Sequence, residues 1–328
     1  MKKFSAKSPT RVDLAGGTLD MWPLNCFVDN CVTINVAISI FTECELVIRD
    51  DKKIKVASRD QNFSFEFNSW NEFMADVQAE LHFFRVHAGF WKPDFGFELT
   101  TNSQSPLGGG LGGSSSLSMS VMKCFIQATG KKMSLTEMVG IGHNLEAAIL
   151  RTPTGVQDYV PAIQGGINAI SFSPLGLEIS QLKVPLDFYN DHAILVYTGR
   201  PHYSGLNNFE VLKNAVIGNE VTLRALRGIR DVALDLHERL KTRDTKDLKK
   251  IFDKEYDYRV QLTSAFTSPE IERLRKVSLD ANAQAIKICG AGGGGCVMVW
   301  SDSKNKNQVK KAIQDSGFKV LETEGVNV

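Results

Sequence analysis

Residues 106–122 read PLGGGLGGSSSLSMSVM, with five glycines and three serines in nine positions ahead of an apolar pattern of helical period. A glycine-rich loop that opens a helix suits phosphate, because backbone N–H groups and the positive end of the helix dipole converge there. The G-x-x-x-x-G-K-[ST] recipe requires a lysine before the hydroxyl, and none is present. Gly108, Gly110 and Gly113 satisfy G-x-G-x-x-G, which would suit a dinucleotide-binding dehydrogenase. That fingerprint wants a ribose-binding acid about 20 residues on, where Met133 stands and the nearest acid is Glu137. Three serines at the helix start fit a triphosphate and its Mg²⁺ better. A purely structural glycine turn is the other alternative.

A chain of 328 residues, 43% hydrophobic, can fill one large core or two ordinary ones, and the pattern along it favours two. Lys+Arg 38 against Asp+Glu 37 gives no reason to expect a nucleic-acid or anionic-membrane partner. The N-terminal MKKFSAKSPTRVDLAGG lacks the apolar run of a signal, and no window approaches the roughly 20 apolar residues of a membrane span. A cytoplasmic protein is expected. Cys26, Cys31, Cys44, Cys124, Cys289 and Cys296 form no metal-binding pattern and are expected to be reduced core thiols.

Around the loop, the pattern is that of an α+β domain. NCVTINVAISIFTECELVIRD (30–50) divides into two apolar, β-branched stretches, and KIKVASRD (53–60) and FSFEFNS (63–69) alternate at period two, which predicts strands. Phe73, Val77, Leu81 and Phe84 recur at four, four and three, which predicts one amphipathic helix over 70–90. FGFELTT (95–101) is a strand entering the loop, and 116–130 a helix stopped by Gly130. Ser134 and Glu137 form a capping-box pattern ahead of the stripe Met138, Ile141, Leu145 and Ile149. Residues 165–182 read as a strand pair joined at Pro174 to Gly176. The pattern resets over 183–192. Beyond it, Leu226, Ile229, Ala233, Leu236 and Leu240 mark a long helix, Ser268 and Pro269 open another, and 285–323 read as β-loop-β-α-β.

Three segments carry chemistry beside the first loop's own. SPTRVDLAGGTLDMWPL (8–24) sets Arg11 and Asp20 either side of the Gly16-Gly17 turn, so a cation and a carboxylate can both face a cleft. KICGAGGGGCVMVW (287–300) holds Gly290 and Gly292 to Gly295, which let backbone approach a ligand or another loop. LEAAILRTPTGVQDYV (145–160) carries Glu146 and Asp158. Two carboxylates converging on a triphosphate divide the work, one holding Mg²⁺ and the other facing the attacking hydroxyl. Taken singly, each is equally a surface charge or a packed turn.

In order and together, these segments resemble the GHMP kinase superfamily, named for galactokinase, homoserine kinase, mevalonate kinase and phosphomevalonate kinase. The resemblance implies a two-domain α+β fold: a mixed α/β ATP-binding domain with the phosphate loop over 1–185, and a ferredoxin-like C-terminal domain over 186–328. It implies that Pro106, Gly108, Gly109, Gly110, Leu111, Gly112, Gly113, Ser114 and Ser115 bind ATP and that Ser114 and Glu146 hold Mg²⁺. Asp158 resembles the aspartate that faces the acceptor hydroxyl, and Arg11 the basic residue that keeps it ionised. Gly17, Thr18, Asp20 and Gly292 are the implied substrate-side residues.

Within the superfamily, RVDLAGGTLD and GVQDYVPAIQGGINAISF look most like the sugar kinases for heptose 7-phosphate, galactose and fucose. The implied reaction is ATP-dependent phosphorylation of a hydroxyl on a sugar or sugar phosphate by a monomer or homodimer. The alternatives are a silent sugar- and ATP-binding regulator and a kinase for a non-sugar alcohol such as mevalonate. A phosphorylated acceptor needs its own cation, for which Arg85, His87, Lys92 and Arg200 are candidates, and 197–208 (YTGRPHYSGLNN) occupies the place of a sugar-side loop.

Overall fold

The computed structural model describes residues 2–201 and 204–328. In chain order the first half comprises β1 (Lys3–Ala15), α1 (Leu24–Phe27), β2 (Val32–Arg49), β3 (Ile54–Ser58), β4 (Phe63–Phe67), α2 (Trp70–Ala75), α3 (His82–Trp91), β5 (Gly96–Ser103), α4 (Gly113–Thr129), α5 (Leu135–Leu150), α6 (Tyr159–Gln164), β6 (Ile167–Ser173) and β7 (Gly176–Leu182). Its strands form one mixed sheet of order β4-β3-β5-β2-β6-β7, with β1 along the remaining edge of β2. Only the β3–β5 pairing is parallel among the described residues. Such a sheet is not the doubly wound parallel sheet of a dinucleotide-binding fold, so the G-x-G-x-x-G match carries no dehydrogenase here.

The two stretches expected over 30–50 are one strand of 18 residues. No turn residue interrupts them. The change of pattern reflects burial: Val32–Ile38 is buried on both faces, whereas the rest of β2 alternates. The doubly covered part packs on one face against the helix of residues 220–242 in the second half, and on the other Asn35 donates to the Gln157 carbonyl at 3.0 Å. The single helix expected over 70–90 is likewise corrected. Asp76 is extended at φ −66° and ψ 137° and takes the Gln78 N–H on its carboxylate at 2.8 Å, which ends α2 and leaves Val77 88% exposed. The aspartate turn overrides the apolar spacing. By contrast, α5 carries the full Ser134–Glu137 capping box, and Gly130 ends α4 at φ +69°.

The second half comprises α7 (Asp187–Asn190), β8 (Ala193–Tyr197), α8 (Ser204–Val216), α9 (Glu220–Thr242), α10 (Lys249–Leu262), α11 (Pro269–Asp280), β9 (Ala285–Ile288), β10 (Cys296–Trp300), α12 (Lys306–Asp315) and β11 (Lys319–Leu321). Its antiparallel sheet has the order β11-β8-β10-β9, the strand order of a split βαβ, ferredoxin-like unit. Residues 325–327 then return to the first sheet, where Val326 exchanges backbone bonds with Ala37 and Gly166.

One apolar core joins the halves: Val12, Leu14, Val32 and Ile34 pack with Leu236, Leu195, Met298 and Trp300. A second core under the first sheet is aromatic, with Phe73, Phe84, Trp91, Phe97 and Phe125. No helix among the described residues is long and apolar enough to cross a membrane. Five of the six cysteines are buried as expected, and Cys26 is exposed instead. Because Leu236 is fully buried where the halves meet, Leu236→Ala should cost about 2–5 kcal/mol, read as a lower urea midpoint at unchanged slope.

Candidate active site

The glycine-rich loop, residues 104–112, leaves the C-terminal end of β5 and enters α4 through Gly112, which adopts φ +69°. No side chain caps the start of α4, so its first N–H groups are left for an anion. The loop's oxygens are directed elsewhere. The carbonyl of Gly109 accepts from Cys296 N–H at 2.8 Å, that of Gly110 from Arg11 Nη1 at 2.6 Å, and that of Leu111 from Arg11 N–H at 3.0 Å. Three pinned carbonyls in succession keep acceptors away from where a phosphate would sit.

Two acids face this helix start. Glu146, on α5, is 6% exposed and takes three hydroxyls: Ser114 on Oε1 at 2.5 Å, Ser115 on Oε2 at 2.6 Å, and Tyr159 on Oε2. Burial, reinforced by Asp158, raises its pKa above the ordinary carboxylate range against those bonds. Asp158 immediately precedes α6. Arg11 Nε and Nη2 both reach its Oδ1, at 2.7 and 2.6 Å, while among the described residues Oδ2 has only the Ser115 hydroxyl at 3.5 Å. One oxygen is thus held by the cation and the other is turned to the cleft. Burial opposes the Arg11 charge, but Asp158 and Asp13 outweigh it and its pKa is raised.

Asp20 lies on the turn after β1. Its Oδ1 accepts from Thr18 N–H at 3.1 Å and Gln157 Nε2 at 3.3 Å, and its Oδ2 from Gln157 N–H at 3.2 Å. A Cβ on Gly155 would come within 1.8 Å of Asp20 Oδ2, so that turn must be glycine for the carboxylate to fit. Burial and then the nearby Asp158 push the Asp20 carboxyl up to about 6.

These groups line one cleft of about 820 Å³ together with Pro106, Gly108, Gly109, Gly110, Gly112 and Gly113. Thr18 lines it too, at a φ of +83° that a β-branched residue rarely adopts. Gly17, Leu111 and Gly292 lie outside its lining. Leu111 is buried in the core between the halves, Gly17 rests on Asp13 and Arg259, and Gly292 is pressed on Phe266. Motif three, the glycine-rich segment 287–300, instead reaches the cleft through Gly290 and Ala291, and Gly290 abuts Gly110 with no room for a Cβ.

Of the cations considered for a phosphorylated acceptor, none is in the lining. His87 is fully buried against Ser118, with its pKa lowered to about 3 by burial. His202 and Tyr203 lie outside the described residues. Sequence reasoning missed Gln157 and Tyr159, which flank Asp158 and hold the other two acids. Their adjacency to it was the only signal.

The description "GHMP kinases N terminal domain" matches residues 76–166 and "GHMP kinases C terminal" matches 236–319, together more than half of the chain. The chain belongs to the GHMP kinases. The D-glycero-alpha-D-manno-heptose 7-phosphate kinase of Campylobacter jejuni is 29% identical, over 97% of this chain and 95% of that protein. Lactococcus lactis galactokinase, solved with galactose, superposes at a TM-score of 0.79 and 17% identity over 99% and 94% of the two chains. A D-glycero-D-manno-heptose 1-phosphate kinase from Bacteriodes thetaiotaomicron superposes at 0.78 and 19% identity over 98% and 96%. As a GHMP kinase, the chain is a phosphotransferase.

Two outcomes follow for the turn at residues 16–20 of this GHMP kinase. The Asp20 proton is bound more tightly folded than unfolded, so between pH about 4 and 6 the native state holds more protons and loses stability as pH rises. Relative to Asp20→Asn, the wild-type unfolding free energy should therefore fall by about 2 kcal/mol from pH 4 to 7, measured by urea titration. Thr18→Gly relieves the left-handed strain and should raise stability by about 1 kcal/mol in the same assay.

Proposed function

We propose that this GHMP kinase transfers the γ-phosphoryl group of ATP to a hydroxyl of a sugar or sugar phosphate, a heptose phosphate or close relative being the first candidate. The observation that carries the reading is Asp158: its Oδ1 is occupied twice by Arg11, and its Oδ2 faces the cleft beside the start of α4. A carboxylate so held can accept a proton on one defined oxygen. The 29% identity to a heptose 7-phosphate kinase along nearly the whole chain supports a sugar acceptor.

The loop and helix-terminal amides of 110–115 bind the phosphates, since the loop carbonyls are engaged elsewhere. The apolar part of the lining, Phe63, Phe83 and Leu117, suits the base. The hydroxyl of Ser114 and the carboxylate of Glu146 are hard oxygen donors meeting at 2.5 Å, with three hydroxyls but, among the described residues, no cation on the carboxylate, and they fit Mg²⁺. When bound, that ion offsets the negative charge of the β- and γ-phosphoryl oxygens. Asp20 and Thr18 orient the acceptor. Its hydroxyl oxygen forms the new bond to the γ-phosphorus as the bond to the β-phosphoryl oxygen breaks, ADP leaves, and the hydroxyl proton passes to Asp158 Oδ2. The loose transition state leaves most of the catalysis to positioning and charge. We assign the nucleotide to residues 1–185 and treat 186–328 as the half that braces it, in a cytoplasmic enzyme.

An ATP-consumption screen over free heptoses, hexoses, their phosphates and mevalonate tests the reading. A sugar or sugar phosphate should give the highest kcat/KM, and Asp158→Ala should lower kcat at least about 10²-fold. Preference for mevalonate overturns the acceptor, unchanged turnover in Asp158→Ala overturns the proton acceptor, and tight binding without turnover marks a regulator.

A further inference from the structure

Below the cleft lies a set of charges that the reaction as described does not use. Asp13 on β1, Glu255 and Arg259 on α10, and Lys287 on β9 all have side chains at most 1% exposed. Asp13 Oδ2 takes Arg259 Nη2 at 2.7 Å and Lys287 Nζ at 3.1 Å, and Glu255 Oε1 takes Arg259 Nε at 2.9 Å and Lys287 Nζ at 3.1 Å. Two anions and two cations balance, which is what permits four charges to be buried together. Apolar side chains of matching volume would serve stability as well or better, so stability alone does not account for the cluster.

Its contacts point to the site. The third terminus of the Arg259 fork, Nη1, donates to the carbonyl of Gly290 at 2.7 Å. Gly290 is the residue of motif three that abuts Gly110, where an added Cβ would meet the Gly110 Cα at 2.9 Å. Gly110 is also the residue whose carbonyl Arg11 holds, and Arg11 holds Asp158. On the other side, an added Cβ at Gly17 would come within 2.1 Å of Asp13 Oδ2 and 2.3 Å of Arg259 Nη2. Thr18 and Asp20 follow directly on that turn. The turn at Gly17 therefore rests on Nη2 of one guanidinium, and the loop at Gly110 is linked to its Nη1 through Gly290.

We propose that Arg259, which touches neither substrate, is a positioning residue for phosphoryl transfer: it sets the acceptor turn at Gly17 and the phosphate loop, through Gly290 and Gly110, at a fixed separation. In-line transfer requires the acceptor oxygen and the γ-phosphorus to meet at close range, so a shift of about 1 Å between the two half-sites costs rate on the order of 10²-fold. A planar fork with three directed contacts can hold such a separation, and a lysine ammonium cannot reach all three.

The inference rests on the kinase reading, and the test separates the two. Arg259→Lys keeps the charge balance, so the variant should fold. It should lose at least 10-fold in kcat with the best acceptor, and nucleotide affinity measured by calorimetry should fall with it. Gly17→Ala changes no charge, and Gly17 lacks the positive φ that would forbid alanine, so its methyl acts only by displacing the Asp13–Arg259 pair. It should show the same kinetic loss although Gly17 lies outside the cleft. Both substitutions break the same Asp13–Arg259 contact, so in the double variant the two losses should not add. Wild-type kcat and nucleotide affinity in folded Arg259→Lys, at whatever melting temperature, would reduce the cluster to a structural one. Fully additive losses would sever Gly17 from Arg259 and overturn the coupling. A wild-type protein that neither binds nucleotide nor turns over would instead sink the kinase reading itself.

Discussion

Arg11 is the residue on which the site turns. Buried at 4% exposure, it spends two donors on one oxygen of Asp158 and a third on the carbonyl of Gly110. A buried guanidinium needs such partners, because an unpaired charge in the core costs several kcal/mol. The need for pairing fixes the aspartate in one rotamer and draws the phosphate loop onto β1. In the proposed reaction chemistry and folding are served by the same three bonds, so the loop assigned to the phosphates and the carboxylate assigned to the acceptor share one anchor.

The absent lysine of the loop has its counterpart in this arrangement. In a lysine-bearing phosphate loop the cation sits next to the phosphates in sequence. Here the loop supplies helix-terminal amides and turns its carbonyls away, while positive charge comes from β1, about a hundred residues earlier. A site of this kind depends on tertiary packing to bring its cation home, and the doubly buried stretches of β1 and β2 in the core shared by the two halves are what guarantee it.

Much of this was legible in the residues. The loop and helix at 106–122, the capping box at Ser134, and the βαβ-like pattern after 285 all follow local rules that the fold does not override. Glu146 and Asp158 stood out because carboxylates near a phosphate loop have jobs to do. What escaped was of two kinds. The break at Asp76 was hidden because a side chain that bonds its own backbone outweighs a correct apolar period. The roles of Tyr159, Gln157 and Arg259 were hidden because they act across the fold: a buried hydroxyl on Glu146, two amides on Asp20, and a fork between Asp13 and Gly290 leave no periodic trace. Gly17 and Gly292 were drawn toward the site by the motifs that contain them, yet each serves as a spacer beneath it.

The return of residues 325–327 to the first sheet has a consequence for how the protein comes into being. Val326 fills a place between Ala37 and Gly166, far upstream, so the sheet that carries the phosphate loop stays incomplete while the chain is still being made. Arg259 and Gly290 also emerge late. A nascent chain therefore carries its glycine loop, Glu146 and Asp158 before the residues that brace them, Arg259 and Gly290, have been made.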